Sequence, residues 1–248
     1  MNNALQKIRL PENAPIWSLL SAGVFVIGYI IVWIAAQALA VTLTGGDLNA
    51  PNDSAQALGV LVASILMAIV IIQWVRPRAT NTANGWPGAL HLETSHTLPL
   101  FVCVLFGLAC AWAIDLLGVL LKLKGGQVVP PALGSLVGPV TVPWILAAVV
   151  ALLALPFGEE LLLRGLLYPA LATRFGNMAG IAMTSLVGML LAILLAGPLP
   201  WYAIIQPLLM GIVLTGLRAH TKSTQMAIVA RTMFGLFFVL SALISARF

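Results

Sequence analysis

The sequence predicts an all-α fold: a polytopic transmembrane helical bundle of seven spans, forming one membrane domain over residues 1–248. Three observations carry this. Of the 248 residues, 61% are hydrophobic and only 8% are charged. Mean hydropathy is +1.06. Apolar runs of about 20 residues, the length that crosses a bilayer as a helix, recur from end to end. Lipid offers no partner to an open sheet edge, so such runs read as helices. The net charge of +5 comes from basic residues in short connections, where they report topology. No basic patch interleaves with aromatics, so the partner it implies is the lipid bilayer and not nucleic acid.

The elements follow in order. Residues 1–15 carry Lys7 and Arg9 and are expected on the cytoplasmic side of a plasma (inner) membrane. The first span covers about 17–43. Ala38-Leu39-Ala40 resembles a signal cleavage site, but the apolar stretch is too long for a signal core. Residues 44–54 hold Asp47 and Asp53 and no base, which fits an external loop. The second span, 57–75, stops at Arg76-Pro77-Arg78. The connection 79–96 carries Asn-Gly and Pro-Gly turn signals, together with Trp86, which is expected at headgroup level. His91 and His96 also lie there and read as surface histidines. The third span, 98–121, holds Cys103 and Cys110, seven apart on one helix and too far for a mutual disulfide. It also holds Asp115, a lone intramembrane acid. Lys122 and Lys124 follow on the side that should be external, against the positive-inside pattern.

Residues 125–142 contain Pro130, Pro131 and Pro139 and read as irregular; an eighth span results if they enter the bilayer. The fourth span runs from near 143 to 172, with Arg174 at its cytoplasmic end. The fifth, 178–196, has a stripe of Ser185, Gly188, Ala192 and Ala196, expected to pack on the fourth or last span. Gly197-Pro-Leu-Pro200 makes a turn. The sixth span is 201–217, and Arg218, His220 and Lys222 mark the next cytoplasmic turn. The last span, 225–244, contains Arg231.

The chemistry concentrates in the fourth span. Glu159, Glu160 and Arg164 interrupt an apolar run, and charge at membrane depth normally faces a bundle interior or a wet cavity. Glu160 and Arg164 are four apart with the acid N-terminal, so they share a helix face and can pair. Glu159 points elsewhere, roughly 100° around. Pro156 and Gly158 predict a kink just before them. A self-neutralising pair that locks packing explains these residues as readily as a site does.

Glu159-Glu160-Leu-Leu-Leu-Arg164-Gly165, followed by Tyr168 to Gly176, resembles the first motif, EExxxR, of the CPBP family. That family groups type II CAAX prenyl proteases with bacteriocin-processing and self-immunity proteins. Residues 210–223 and 226–235 resemble its later segments, so the resemblance covers about 143–245. It implies an intramembrane peptidase in which a glutamate, here Glu159, and two histidines activate water. Glu160 and Arg164 complete the motif.

The sequence then departs from the pattern. The second motif, FxxxH, should fall within 184–193, which reads Gly188-Met-Leu-Leu-Ala192. The fourth motif, a histidine with asparagine four residues on, meets Arg231 and Gly235. His220 matches the turn before Thr-Lys-Ser and replaces neither. Alanine cannot carry a proton, and arginine stays protonated. Without imidazoles zinc would lack most of its ligands, so no cofactor is expected. Asp115, Ala192, Arg231 and Gly235 are thus the residues expected to line the site of Glu159. Arg231 is expected to pair with Glu159, as a bidentate contact, or with Asp115; the competing reading is that it snorkels outward to the cytoplasmic headgroups.

The sequence therefore implies a peptidase-like membrane protein without efficient hydrolysis. Alternatives are an active intramembrane protease with altered residues, a scaffold or immunity or assembly protein that binds another membrane protein or a peptide segment, and, ranked last, a transporter using the buried acids.

Overall fold

The computed structural model describes residues 14–45, 52–82, 84–93, 99–121, 136, 140–196 and 201–245. Eight helices organise them: α1 (Leu19–Thr44), α2 (Asp53–Val75), α3 (Gly85–Ala89), α4 (Leu100–Leu120), α5 (Val142–Phe175), α6 (Asn177–Ala196), α7 (Trp201–Thr221) and α8 (Thr224–Ser245). No strand occurs among the described residues. All but α3 are long and apolar enough to cross a membrane, which gives the seven spans expected. The expected irregular segment 125–142, Lys122, Lys124, His96 and the turn 197–200 lie wholly or mostly outside the described residues.

Local chemistry sets the helix ends. The Ser18 hydroxyl accepts the Ser21 N–H at 3.2 Å, and Asn52 Oδ1 accepts the Ala55 N–H at 2.8 Å, capping α1 and α2. Gly45 ends α1 with φ 71°, a left-handed turn that glycine takes without strain. One end of the bundle gathers Arg76, Arg78, Arg174 and Lys222, and is called the basic end below. Trp74 sits there between Arg78, whose guanidinium lies 4.3 Å from the ring centroid, and the rings of Trp17 and Phe25. Trp17 immediately precedes the Ser18 cap of α1, so α1 starts at the basic end. Trp86, expected at headgroup level, packs against the apolar cluster around Leu161–Leu171.

The fourth span is the axle. It runs Val142–Phe175 as one helix and is the most buried of the seven. Around Pro156 the helix carries two π-helical segments, Val150–Ala154 and Leu161–Leu167, on either side of Leu155–Glu160. Proline has no N–H and crowds the carbonyl one turn back; a wider turn before it absorbs that misfit. Widened turns leave carbonyls under-used, and other helices supply donors. Trp17 Nε1 donates to Leu166 O at 3.0 Å, Thr224 Oγ1 to Arg164 O at 3.5 Å, and Thr232 Oγ1 to Leu152 O at 3.4 Å. Each donor comes from outside α5, so sealing its backbone also fixes α1 and α8 against it.

Glycines permit the close approaches. A Cβ on Gly158 would stand 2.6 Å from Ser64 Cβ, so α2 touches α5 there; one on Gly235 would meet Ala151 O, and one on Gly107 would meet Ala230 O. Helix α4 packs on α8 through this last contact and a cluster of Ala111, Phe234 and Phe238. The stripe on α6 divides. Gly188 faces Leu163 of the fourth span, as expected, whereas Ser185 backs onto Gly211 of α7, the sixth span. The reason is rotational: residues three apart on a helix differ by about 60° in direction, enough to reach two neighbours.

Candidate functional site

Two consecutive carboxylates on α5 point into different surroundings. Glu160 faces α7. Arg164 Nη1 donates to Glu160 Oε1 at 3.0 Å, its Nε donates to Thr215 Oγ1 at 3.2 Å, and its Nη2 donates to Gly211 O at 3.4 Å. The side chains are 1% and 5% exposed, so the pair is dry. Gly211 and Thr215 are one turn apart on α7, and Gly211 lets α7 settle on Ser185 of α6. The guanidinium therefore ties α5 to α7 on a third helix's support. The pairing of Glu160 with Arg164 expected from their spacing is present.

Glu159 turns toward α8. Its Oε2 lies 3.9 Å from Arg231 Nη2, and the two side chains are 28% and 16% exposed. This is an ion pair without hydrogen-bond reach, so the bidentate contact expected from the sequence is not formed. Arg231 also sits 5.3 Å from the centroid of the Phe234 ring, a second claim on its charge that competes with a fork onto the carboxylate. Of the two acids expected to compete for Arg231, Glu159 is the one it meets.

The remaining expected residues are placed differently. Gly235 does not line the Glu159 carboxylate. It stands one turn beyond Arg231, pressed on Ala151 O, where a side chain would collide with the α5 backbone. Ala192 is half-buried on α6, and its helix meets α5 at Gly188 against Leu163. Asp115 is exposed on the outer face of α4, and no ion pair among the described residues joins it to Arg164 or Arg231. Helix α4 buries Cys103, Gly107, Ala111 and Gly118, and Asp115 falls off that face.

His91 and His220 lie at the basic end, not beside the acids. His91 O accepts the Thr224 N–H at 2.7 Å, which caps the start of α8. Among the described residues no three His, Cys, Asp or Glu side chains converge as a metal-binding group. Each carboxylate of the pair faces a guanidinium instead, a donor set unlike that of zinc.

Two residues of the site went unremarked in the sequence. Tyr29 of α1 and Ser64 of α2 are both 1% exposed, and Ser64 abuts Gly158, next to Glu159. Each is a hydroxyl in mid-span, a signal as legible as an acid but a cheaper one to bury, and so a weaker pointer.

The arrangement sets Glu159 at membrane depth with the Arg231 guanidinium beside it and Ser64 of α2 pressed against the neighbouring Gly158. Among the described residues no imidazole lies beside it to shuttle a proton. Residues 141–237 match the family model described as Type II CAAX prenyl endopeptidase Rce1-like. That range contains Glu159, Glu160, Arg164, Ala192, Arg231 and Gly235, and bears out the resemblance read from the sequence. No curated protein and no solved structure shows a match to this chain.

Proposed function

We propose that this chain, whose residues 141–237 are an Rce1-like, CPBP-type region, is a membrane protein related to intramembrane proteases that has lost efficient peptide hydrolysis. It keeps the half-buried Glu159 and the buried Glu160 and Arg164 as an architectural core and acts by binding another membrane protein or a peptide segment within the bilayer. The observation that carries the reading is Arg231, whose guanidinium stands 3.9 Å from the Glu159 carboxylate, at the place where the family pattern has a proton-accepting histidine. A guanidinium there attracts the carboxylate and cannot take its proton.

Gly235 supports the same reading. The family's asparagine would need space that α8 gives up by resting on Ala151 O. The donor set supports a protein that works without zinc. The clustering of Arg76, Arg78, Arg174 and Lys222 at the end where α1 begins supports a cytoplasmic N-terminus in a plasma (inner) membrane.

The test is proteolysis by the full chain in lipid nanodiscs, using fluorogenic prenylated and transmembrane peptides. The expected result is no cleavage above that of Glu159→Gln. Cleavage by the native chain that Glu159→Gln abolishes would overturn the reading. It would favour instead the active protease with altered residues, for which the partly exposed carboxylate of Glu159 is the supporting observation.

A further inference from the structure

We infer that the outward face of α4 around Asp115 docks a transmembrane helix of another protein, one that carries a lysine or arginine at the same depth. This face would perform the binding role proposed above, on which the inference rests. Helix α8 stands between α4 and the α5 helix that carries Glu159, so docking at Asp115 and hydrolysis at Glu159 are separable.

The depth of Asp115 follows from the packing of α4, which rests chiefly on α8. Cys103 Sγ lies 3.5 Å from Met226 Sδ, Gly107 is pressed on Ala230 O, and Ala111 shares an apolar cluster with Phe234. The two helices therefore run side by side in one register, and the same offset carries Asp115 to the level of Phe238. From there α4 continues to Leu120 and α8 to Ser245, about 8 and 10 Å of helix. Val119 and Leu120 on α4 and Leu240 and Ile244 on α8 lie farther out than Asp115 and are exposed. Apolar side chains exposed beyond it place the carboxylate within the hydrocarbon, not among the headgroups.

Asp115 is itself exposed at that depth. Trp112 about one turn before it, Leu116 beside it and Val119 one turn after it are exposed with it. The buried side of α4 is the other one, Cys103, Gly107, Ala111 and Gly118. Among the described residues Asp115 has no hydrogen-bond or ion-pair partner. An ionised carboxylate facing lipid is costly, and a short aspartate side chain cannot reach headgroups about 8 Å away. Protonation would remove the charge and still leave a hydroxyl and a carbonyl unmet. An apolar helix would cover Trp112 and Val119 but not satisfy the acid. A basic side chain on a neighbouring helix does both, so charge complementarity selects the partner. A second copy does not supply it. Two-fold pairing through α4 would bring two carboxylates together, and no basic residue is exposed at this depth among the described residues.

The probes are two synthetic leucine–alanine helices of about 24 residues, one with a single lysine about six residues from its end and one with leucine there. Each is reconstituted in vesicles with the full chain, which carries a photoreactive amino acid at Leu116, and crosslinked peptide is measured. The lysine helix is expected to crosslink about tenfold more than the leucine helix. Asp115→Leu is expected to abolish that preference while Tm stays the same or rises, because leucine matches the surface around it. The same photoreactive group at Ile31, exposed on α1, should show no preference. Equal crosslinking of the two helices with Asp115 intact would overturn the proposal, as would a lysine preference that survives Asp115→Leu. A lower Tm for Asp115→Leu would mean that the acid is satisfied within the chain. Crosslinking between copies at Leu116 without peptide would assign the face to a dimer. Either result would also overturn it. None of these readouts involves Glu159, so failure here leaves the proteolysis result standing.

Discussion

Removing Arg231 tests the geometry of the site most directly, and its size can be worked from the structure. At 3.9 Å two unit charges attract by about 4 kcal/mol at the effective dielectric usual for proteins. That is an upper bound here. The pair has no hydrogen bond, and partial exposure screens it, so a coupling of about 1–2 kcal/mol is expected. The neighbouring pair sets the contrast. Arg164 and Glu160 are 3.0 Å apart, hydrogen-bonded and dry, and losing one partner there should cost about 3–5 kcal/mol. The measurement is a pair of double-mutant cycles, Arg231→Ala with Glu159→Gln and Arg164→Ala with Glu160→Gln. Thermal unfolding in one detergent, followed by tryptophan fluorescence, reads both. A change of 1 kcal/mol should move Tm by about 2–4 °C. The expected ranking is a small positive coupling in the first cycle and a larger one in the second. Additive losses across Arg231 and Glu159 would refute the pairing. Equal couplings in both cycles would refute the distinction between a half-open and a dry pair. Asp115→Asn combined with Arg231→Ala should be additive, because Asp115 faces outward.

Four further outcomes follow from the packing. Gly235→Ala should destabilise by about 1–3 kcal/mol by driving α8 off Ala151, read as a fall in Tm at unchanged expression. Gly188→Ala meets only the flexible end of Leu163 at 3.2 Å and should cost less than Gly180→Ala, whose Cβ meets the Ala172 backbone at 3.0 Å; the same melts order the two. Trp17→Phe keeps the ring but strips the donor from Leu166 O, and should cost about 1–3 kcal/mol if that carbonyl is then unsatisfied. Single cysteines placed at Arg78 and Arg174 should react with a membrane-impermeant maleimide from the cytoplasmic side only; external labelling of either would reverse the orientation.

The number of spans was legible because hydropathy and length alone decide what crosses a membrane. The Glu160–Arg164 contact was legible because a spacing of four is a local property. Arg231 beside Glu159 took charge counting across two helices, and that reasoning found the partner but not the geometry. It assumed a free guanidinium, and Phe234, three residues on in the same helix, claims part of it. The placement of Gly235 failed for a related reason. A motif position carries a residue to a helix, not to a direction, and four residues along α8 shift the contact from Glu159 back to Ala151. The π-helical segments left no trace in the sequence beyond Pro156. A wider turn depends on donors that Trp17, Thr224 and Thr232 bring from elsewhere in the chain.

Arg231 and Gly235 are linked by the packing of one helix, and this bears on how these two positions could accept a histidine and an asparagine. Exchanging Arg231 for histidine would shorten the side chain and free the face of Phe234, but α8 would still rest on Ala151 O. An asparagine at 235 would then have to push two backbones apart at a point where neither can yield cheaply. The Thr232 hydroxyl already bonds Leu152 O beside that contact, and Gly107 holds α4 against Ala230 on the far side of α8. Moving α8 outward therefore disturbs α4 as well. Substituting Arg231 alone removes the positive charge beside Glu159, whereas changing both positions requires α8 to be repacked. A single arginine-to-histidine change is accordingly expected to leave the chain folded and without cleavage activity.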